Sequence, residues 1–313
     1  MKGLELSKEF YLRHGEDMLK KSFPELLPHI AVGLCGSGSE CLGYDDEVSE
    51  DHDFEPGFCI FLPGEDKVDR KAEFRLERAY ASLPKEFMGC KRLPVSPVGG
   101  NRHGVIRLER FFTEKTGTPD GSLTLEQWLR MPQYALCEAT NGEIFYDGSG
   151  ILSSVREKLS NMPEDVRRKR IAGALLIMAQ SGQYNYSRCI KHGETAAAQL
   201  AVFEFINAFL KTAFLLCRRY MPYYKWAFRA LSELPLLSEY RDTAELLLTT
   251  ENGADMAETK YYLIEDISSA VITALQDQGL TEAICGDLEK HAYSVNDGIK
   301  DPTVRNLNIL ATE

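Results

Sequence analysis

The chain has 313 residues, of which 44% are hydrophobic and 27% are charged. This composition is typical of a globular protein, and the length favours two domains. The formal net charge of −11 argues against extended binding to a nucleic-acid backbone, because such binding requires a basic surface.

Hydrophobic periodicity in the first 150 residues predicts helices and short strands in turn. In chain order, the predicted elements are helix 7–27, strand 30–35, strand 58–62, helix 69–82, strand 104–112, helix 123–129, helix 134–139 and strand 143–146. In the third predicted strand, Arg107 and Glu109 share one face because residues two apart in a strand point to the same side.

From residue 151 onward the pattern is helical, with predicted helices at 164–180, 194–220, 224–234, 239–249, 259–278 and 281–295. The sequence therefore predicts an α+β fold. An N-terminal mixed sheet flanked by helices (residues 1–150) is followed by an all-α helical bundle (residues 151–313). The most apolar stretch, residues 196–216, contains Glu204 and Lys211 and is interpreted as a buried helix rather than a membrane span.

The stretch after the first strand carries the strongest chemical signal. A glycine-serine turn, Gly36-Ser37-Gly38-Ser39, follows an apolar run, and backbone N–H groups of such turns can bind phosphates. Asp51 and Asp53 follow in D-x-D spacing, which lets two carboxylates of an extended segment face one point. Two such carboxylates suit a hard cation such as Mg²⁺.

These residues resemble the nucleotidyltransferase superfamily related to DNA polymerase β, in which a Gly-Ser turn precedes a D-x-D pair. The segment Gly38-Ser39-Glu40-Cys41-Leu42-Gly43 matches the first motif, with Gly36-Ser37 as a competing register, and Asp51 and Asp53 match the second. The whole chain looks most like an uncharacterised bacterial nucleotidyltransferase-like family with a C-terminal helical domain. That likeness includes residues 183–188 and 222–226, and the helical half is also similar to aminoglycoside and lincosamide nucleotidyltransferases.

The resemblance implies an enzyme that uses one or two Mg²⁺ ions and a nucleoside triphosphate, expected to be ATP. It implies transfer of AMP to a hydroxyl of a small molecule, with release of pyrophosphate. Asp51 and Asp53 are the expected metal ligands and catalytic residues. Members of the superfamily place a third carboxylate on a neighbouring strand, for which Glu109 is the candidate here. Gly38 and Ser39, or Gly36 and Ser37 in the other register, are expected to contact the β- and γ-phosphates.

The helical half contains further candidate contacts for a nucleotide. Arg188 and Lys225 carry the charges that bind phosphate, Arg as a bidentate donor and Lys as a point charge. Tyr184 has a ring that can stack on a base. The alternative is that these side chains pack at a domain boundary.

Two other functions remain open from the sequence. One alternative is a catalytically degenerate nucleotide-binding regulatory module that kept the fold. The other is an enzyme that adenylylates a protein or an RNA end. The acidic charge disfavours RNA. We expect no membrane partner and a cytoplasmic protein, because residues 1–7 lack an apolar signal core. Neither the acceptor nor the oligomeric state follows from the sequence.

The remaining chemistry-bearing residues favour structural roles. The eight cysteines form no C-x-x-C pair, and most of them are predicted to be small buried hydrophobic residues of a reducing compartment. The basic run Arg167-Arg168-Lys169-Arg170 is interpreted as a solvated helix face.

Overall fold

The computed structural model describes residues 1–46, 55–92 and 102–312. The chain divides into two compact units, one of Met1–Leu123 with Ala135–Asn161 (the sheet unit) and one of Thr124–Tyr134 with Met162–Glu313 (the helical unit). This confirms the predicted α+β fold. The division does not coincide with a single boundary at residue 150, because each unit contains a segment from the other side of that position.

The elements have the following bounds, in chain order. The helices are α1 (Gly3–Phe10), α2 (Glu16–Ser22), α3 (Arg70–Ala81), α4 (Leu108–Thr116), α5 (Leu125–Arg130), α6 (Gln133–Thr140), α7 (Ile151–Ser160), α8 (Glu164–Met178), α9 (Ser187–Lys191), α10 (Thr195–Leu216), α11 (Tyr224–Leu231), α12 (Arg241–Thr249), α13 (Ala254–Asp277), α14 (Leu288–Asp297) and α15 (Pro302–Asn306). The strands are β1 (Ala31–Leu34), β2 (Cys59–Leu62), β3 (Glu86–Phe87), β4 (Cys90–Lys91), β5 (Gly104–Arg107) and β6 (Glu143–Asp147). A first π-helix (Tyr11–Gly15) joins α1 to α2, and a second (Ala179–Tyr186) joins α8 to α9.

Four strands form a mixed sheet in the order β5-β2-β1-β6. β1 is antiparallel to β2 and β6, whereas β2 and β5 are parallel. The register pairs Gly33 with Cys59, Cys59 with Gly104, and Leu34 with Glu143. The end of β1 therefore lies at the same sheet edge as the beginnings of β2, β5 and β6, which brings four chain segments together there.

Both faces of the sheet are covered by aromatic packing. On one face Phe58 packs against Tyr80 of α3, with ring centroids 5.1 Å apart, and its N–H donates to the Tyr80 hydroxyl oxygen at 3.0 Å. On the other face Phe61 of β2 packs edge-on against Phe111 of α4, with centroids 5.2 Å apart. This two-sided burial explains why β2 is apolar at every position.

The strand predicted over residues 104–112 is wrong in its second half. β5 ends at Arg107, and α4 begins at the next residue. α4 buries Leu108, Phe111 and Phe112, which have the i, i+3, i+4 spacing of a helix face. The same short apolar pattern fits a strand and a helix, so periodicity alone did not distinguish them.

Several helices have bounds that differ from the predicted ones, and two of them show why. The helical segment predicted over residues 7–27 occupies residues 3–22 and ends before Phe23, whose φ of −143° leaves the helical region. The helix predicted over residues 281–295 begins only at Leu288, where the carboxylate of Asp287 caps the N–H of Glu289 at 2.9 Å.

The helical unit is built around α10, which packs against α8 and the second π-helix. By length and composition, α10 is the one helix among the described residues that could cross a membrane. However, 67% of its most apolar window is buried inside the structure. α10 is thus packed as a core helix, as its internal polar residues predict.

The basic run at the start of α8 is largely buried, so its interpretation as a solvated face is wrong. The guanidinium of Arg170 donates to the carbonyl oxygens of Trp128 (3.3 Å) and Met131 (2.7 Å), which fastens α5 and the following turn to the helical unit. Lys169 is fully buried and donates to the carbonyl oxygen of Leu307 at 2.6 Å. Desolvation lowers the pKa of this ammonium group.

Gly182 lies where the second π-helix meets its neighbours most closely. A Cβ at this position would lie 2.3 Å from Cδ2 of Phe205 and 2.9 Å from Cγ2 of Ile264. We expect Gly182→Ala to lower the free energy of unfolding of the helical unit by about 1–3 kcal/mol, because the neighbouring helices must move apart. Chemical denaturation monitored by circular dichroism measures this change.

Gly286→Ala is the matched control for that variant. No heavy atom among the described residues lies within 4 Å of a Cβ built at Gly286, and its φ is not positive. We expect a change of at most about 0.5 kcal/mol. Equal effects of the two substitutions would contradict the proposed tight packing.

Candidate functional site

The segment between β1 and β2 begins with a tight turn, residues 36–43, which we call the Gly-Ser turn. Gly36 and Gly38 have φ angles of +113° and +131°, a backbone conformation that favours glycine. Asn141 fixes Gly36 from the beginning of β6: the N–H of Gly36 donates to the Asn141 Oδ1, and the Asn141 Nδ2 donates to the Gly36 carbonyl oxygen, both at 2.8 Å. The turn is therefore held in place by a neighbouring strand.

The backbone N–H groups of the residues after Gly36 indicate an anion-binding role. Among the described residues, the N–H groups of Ser37, Gly38 and Ser39 have no hydrogen-bond partner. Successive unpaired N–H groups in a glycine-containing turn form a concave, positively polarised surface. These N–H groups can therefore donate hydrogen bonds to the oxygens of a phosphate.

Arg102, which precedes β5 in the chain, connects the turn to the segment that leads into β5. Its Nη2 lies 2.8 Å from the carbonyl oxygen of Ser37 and 2.8 Å from Oε1 of Glu40. The Glu40 side chain is 11% exposed and that of Arg102 is 28% exposed. A charge pair with this little solvent contact is screened less than a surface pair, so it holds the turn against β5.

A second cation reaches the turn from α4. The Nζ of Lys115 donates to the Ser37 hydroxyl at 2.6 Å and also to the carboxylate of Glu138 in α6. The Ser37 hydroxyl in turn donates to Oε2 of Glu138 at 2.7 Å. Lys115 and Arg102 thus both contact Ser37, one at its hydroxyl and the other at its carbonyl oxygen, and bring two positive charges to the turn.

One described carboxylate lies where the D-x-D segment leads into β2. Glu55 follows Asp53 by two residues, and its Oε1 lies 2.9 Å from Nδ1 of His103, which directly precedes β5. The His103 and Glu55 side chains are 9% and 20% exposed. Glu55 was not among the predicted site residues, although its spacing continues the alternation of acids at positions 51 and 53.

A cavity of about 700 Å³ extends from the Gly-Ser turn along the edge strand β5, between α3 and α4. Its charged lining includes Arg102, Lys115 and Arg107 together with Glu73 and Glu114. Arg107 donates to Glu73 at 2.6 Å. The cavity therefore has room for a small molecule beside the turn and presents both signs of charge.

The predicted catalytic residues have different outcomes. Asp51 and Asp53 lie outside the described residues. Glu109 is exposed in the first turn of α4, not on a strand, so its expected place on β5 is wrong. It follows the end of β5, and its Oε1 would lie 3.2 Å from a Cβ at Gly64, just beyond the end of β2. Glu109 and the Gly-Ser turn thus lie beyond opposite ends of β5.

The predicted nucleotide contacts of the C-terminal half all belong to the helical unit. Arg188 lies over the ring of Tyr184, 5.1 Å from its centroid. Lys225 lies over the ring of Trp226, 5.0 Å from its centroid. Arg188 and Tyr184 therefore contact each other within the helical unit. The predicted phosphate contacts of the Gly-Ser turn, residues 36–39, belong to the sheet unit.

The three buried cysteines of the sheet unit are poor nucleophiles and poor metal ligands. Burial raises the pKa of Cys35 to about 11, and it also raises the pKa values of Cys41 and Cys59. These thiols therefore stay protonated near neutral pH. Among the described residues, no three His, Cys, Asp or Glu side chains form a group that could hold a metal ion.

Comparison with known proteins finds partial likenesses. Residues 128–227, less than half of the chain, match the family described as Domain of unknown function (DUF4037). A nucleotidyltransferase-like protein from Exiguobacterium sibiricum 255-15, solved by crystallography at 1.90 Å resolution, is 13% identical. Its alignment covers 92% of this chain and 81% of that chain, with a TM-score of 0.37, which carries no functional weight. No curated protein matches the chain.

The space at Gly38 gives a direct test of the turn geometry. A Cβ at Gly38 would lie 1.8 Å from Nη2 of Arg102 and 2.4 Å from Oε1 of Glu40, so Gly38→Ala must displace this ion pair. At Gly43, where φ is also positive, a Cβ meets no heavy atom within 4 Å among the described residues.

We therefore expect Gly38→Ala to be the more destabilising of the two substitutions. Gly43→Ala should cost about 1 kcal/mol, the penalty for an L-residue at positive φ. Gly38→Ala should cost at least about 1 kcal/mol more, because it adds displacement of a partly buried pair. Urea denaturation of both variants measures the difference, and equal stabilities would refute the described position of Arg102.

Proposed function

We propose that the protein is a Mg²⁺-dependent nucleotidyltransferase that transfers AMP from ATP to a hydroxyl of a small molecule and releases pyrophosphate. The observation that supports this most is the convergence at one sheet edge of the Gly-Ser turn and two cations, Arg102 and Lys115. The chain segment that contains Asp51 and Asp53 leads into β2 at the same edge. Anion-binding groups and carboxylates of a metal site are the two components that this reaction needs.

In the proposed arrangement the β- and γ-phosphates bind to the amide groups of Ser37, Gly38 and Ser39. Arg102 and Lys115 neutralise their negative charge. Both cations already bind acidic or polar groups of the turn, so a phosphate would compete with or join these contacts. The cavity of about 700 Å³ next to the turn offers space for the rest of the ligand.

The proposed reaction is an in-line displacement at the α-phosphorus. The acceptor hydroxyl oxygen forms a bond to this phosphorus, the bond from the phosphorus to the oxygen that bridges it to the β-phosphate breaks, and pyrophosphate leaves with that oxygen. The hydroxyl proton passes to a carboxylate. We assign this role to Glu55 in place of Glu109, because Glu55 lies on the segment that leads into β2 and its carboxylate contacts His103, whereas Glu109 lies beyond the other end of β5.

We assign the Mg²⁺ ion to Asp51 and Asp53, since carboxylate oxygens are the ligands that this ion prefers. Magnesium supplies charge stabilisation of the transferred phosphoryl group when it is bound. The proposed acceptor is a small hydroxylated molecule rather than an RNA end, because the net charge of −11 disfavours a polyanionic partner.

One specific observation favours a second candidate, a catalytically degenerate nucleotide-binding regulatory module. β5, the strand parallel to β2, consists of Gly104, Val105, Ile106 and Arg107 and thus contains no carboxylate. Its charged member, Arg107, pairs with Glu73. If Glu55 does not supply the missing acid, the site would bind a nucleotide without transferring it.

Substitution of the two aspartates tests the first proposal. We expect Asp51→Asn and Asp53→Asn each to reduce transfer from α-labelled ATP by about 1,000-fold or more, because several kcal/mol of charge stabilisation by the metal are lost. The assay measures labelled product and pyrophosphate with Mg²⁺ and a panel of hydroxylated metabolites and aminoglycosides. Glu109→Gln is the matched control and should retain activity within about twofold.

Glu55→Gln tests the proposed base, and the wild-type protein separates the two candidate functions. If Glu55 is the base, this variant should lower kcat by about 100- to 10,000-fold while nucleotide binding, measured by calorimetry, is retained. Wild-type protein that binds ATP but releases no pyrophosphate with any acceptor would favour the regulatory module. Wild-type protein that binds no ATP at all would contradict both candidates.

A further inference from the structure

A second cavity, of about 710 Å³, lies wholly within the helical unit, between the second π-helix with α9 on one side and α13 on the other. Three tyrosines line it: Tyr184 of the π-helix, and Tyr261 and Tyr262 of α13. Their exposed fractions are 60%, 37% and 57%. Tyr261 and Tyr262 also contact each other edge to face, with centroids 5.4 Å apart. The cavity therefore presents several aromatic surfaces to solvent.

The wall formed by the π-helix is fixed from behind. Tyr186 is buried, and its hydroxyl donates to the carbonyl oxygen of Ala257 in α13 at 3.2 Å. The Gln183 side chain donates to Glu265 at 2.9 Å and accepts from the N–H of Leu288 at 2.9 Å. π-Helical segments are rare, and those that occur are frequently found at functional sites. All three residues line the cavity, but Gln183 and Tyr186 are held by hydrogen bonds to α13 and α14, whereas the Tyr184 ring is exposed.

Two cations of the same wall have no carboxylate partner among the described residues. Arg188 and Lys191 line the cavity, and neither forms an ion pair within the described part of the chain. Arg188 is held over the Tyr184 ring, 5.1 Å from its centroid. Two neighbouring cations that form no ion pair among the described residues, beside exposed rings, offer a site for an anionic group.

The opposite wall adds a hydrogen-bond acceptor. Glu258 of α13 is exposed and lines the cavity. Its carboxylate can accept hydrogen bonds from the amino group of a heteroaromatic ring. The cavity thus combines aromatic faces, an acceptor for ring N–H groups and two cations, which is the chemistry that recognises a nucleobase attached to a phosphate.

We propose that this cavity binds a nucleoside monophosphate, with the base stacked on Tyr184 and the tyrosines of α13 and the phosphate bound by Arg188 and Lys191. Glu258 accepts hydrogen bonds from the exocyclic amine of the base, so nucleotides of adenine, cytosine or guanine fit better than those of uracil, which has no such amine. This site lies on the helical unit alone, and its existence does not depend on nucleotidyl transfer at the Gly-Ser turn. Such a site would either make the protein respond to the nucleotide concentration or bind a nucleotide that serves as the acceptor.

Calorimetry of the full chain with AMP tests the proposal. EDTA is included so that no metal–nucleotide complex forms. We expect saturable binding that weakens at least about 10-fold in Tyr184→Ala, through loss of stacking, and in Arg188→Gln, through loss of a charge-assisted phosphate contact. Adenosine, which lacks the phosphate, and ribose 5-phosphate, which lacks the base, should each bind at least about 10-fold more weakly than AMP.

Matched controls separate this cavity from the rest of the surface. Tyr293 and Lys290 are exposed on α14 and do not line the cavity. Tyr293→Ala and Lys290→Gln should therefore bind AMP as wild type does. The double variant Asp51→Asn/Asp53→Asn should also bind AMP normally, because these residues belong to the other proposed site. Circular dichroism of each variant confirms that the fold is retained.

Three results would overturn the proposal. They are the absence of saturable AMP binding up to millimolar concentration, wild-type affinity in folded Tyr184→Ala and Arg188→Gln, and loss of AMP binding in the Asp51/Asp53 double variant alone. The last result would assign AMP to the Gly-Ser turn, so failure here is distinguishable from failure of the proposed transfer reaction.

Discussion

The contact of the Arg102 guanidinium with Glu40 and with the carbonyl oxygen of Ser37 is the interaction on which the candidate site depends. It connects the loop after β1 to the segment before β5, and β2 lies between these two strands in the sheet. Gly38 has no side chain and so leaves the space that this pair occupies, since any Cβ there would collide with it. Glycine at this position therefore serves the packing of a charge pair as well as the bend of the turn.

The sequence predicted the parts of the fold whose local pattern permits one interpretation. β1 and β2 are short, fully buried apolar runs ended by glycine or proline, and both form strands. α10 carries long helical periodicity with a few polar residues and is the core helix of the helical unit. The Gly-Ser turn was also recognisable, because two glycines among small polar residues seldom continue an element.

The errors arise where side-chain partners come from distant parts of the chain. Arg107 and Glu109 were predicted to share a strand face, but the chain turns into α4 after Arg107. The guanidinium of Arg107 is held by Glu73. The basic run of α8 is buried because carbonyl oxygens distant in sequence satisfy its charges, and no local pattern encodes that. Likewise, the importance of Arg102 follows from strand order, which brings it to the turn 65 residues earlier in the chain.

The most direct test of the central claim is a crystal structure of the protein with a non-hydrolysable ATP analogue and Mg²⁺. The proposed site predicts phosphate oxygens within about 3.2 Å of the amide nitrogens of Ser37 to Ser39 and of the Arg102 guanidinium. It also predicts a metal ion coordinated by Asp51 and Asp53. A nucleotide whose phosphates bind away from the Gly-Ser turn, or a metal ion held without either aspartate, would contradict the account.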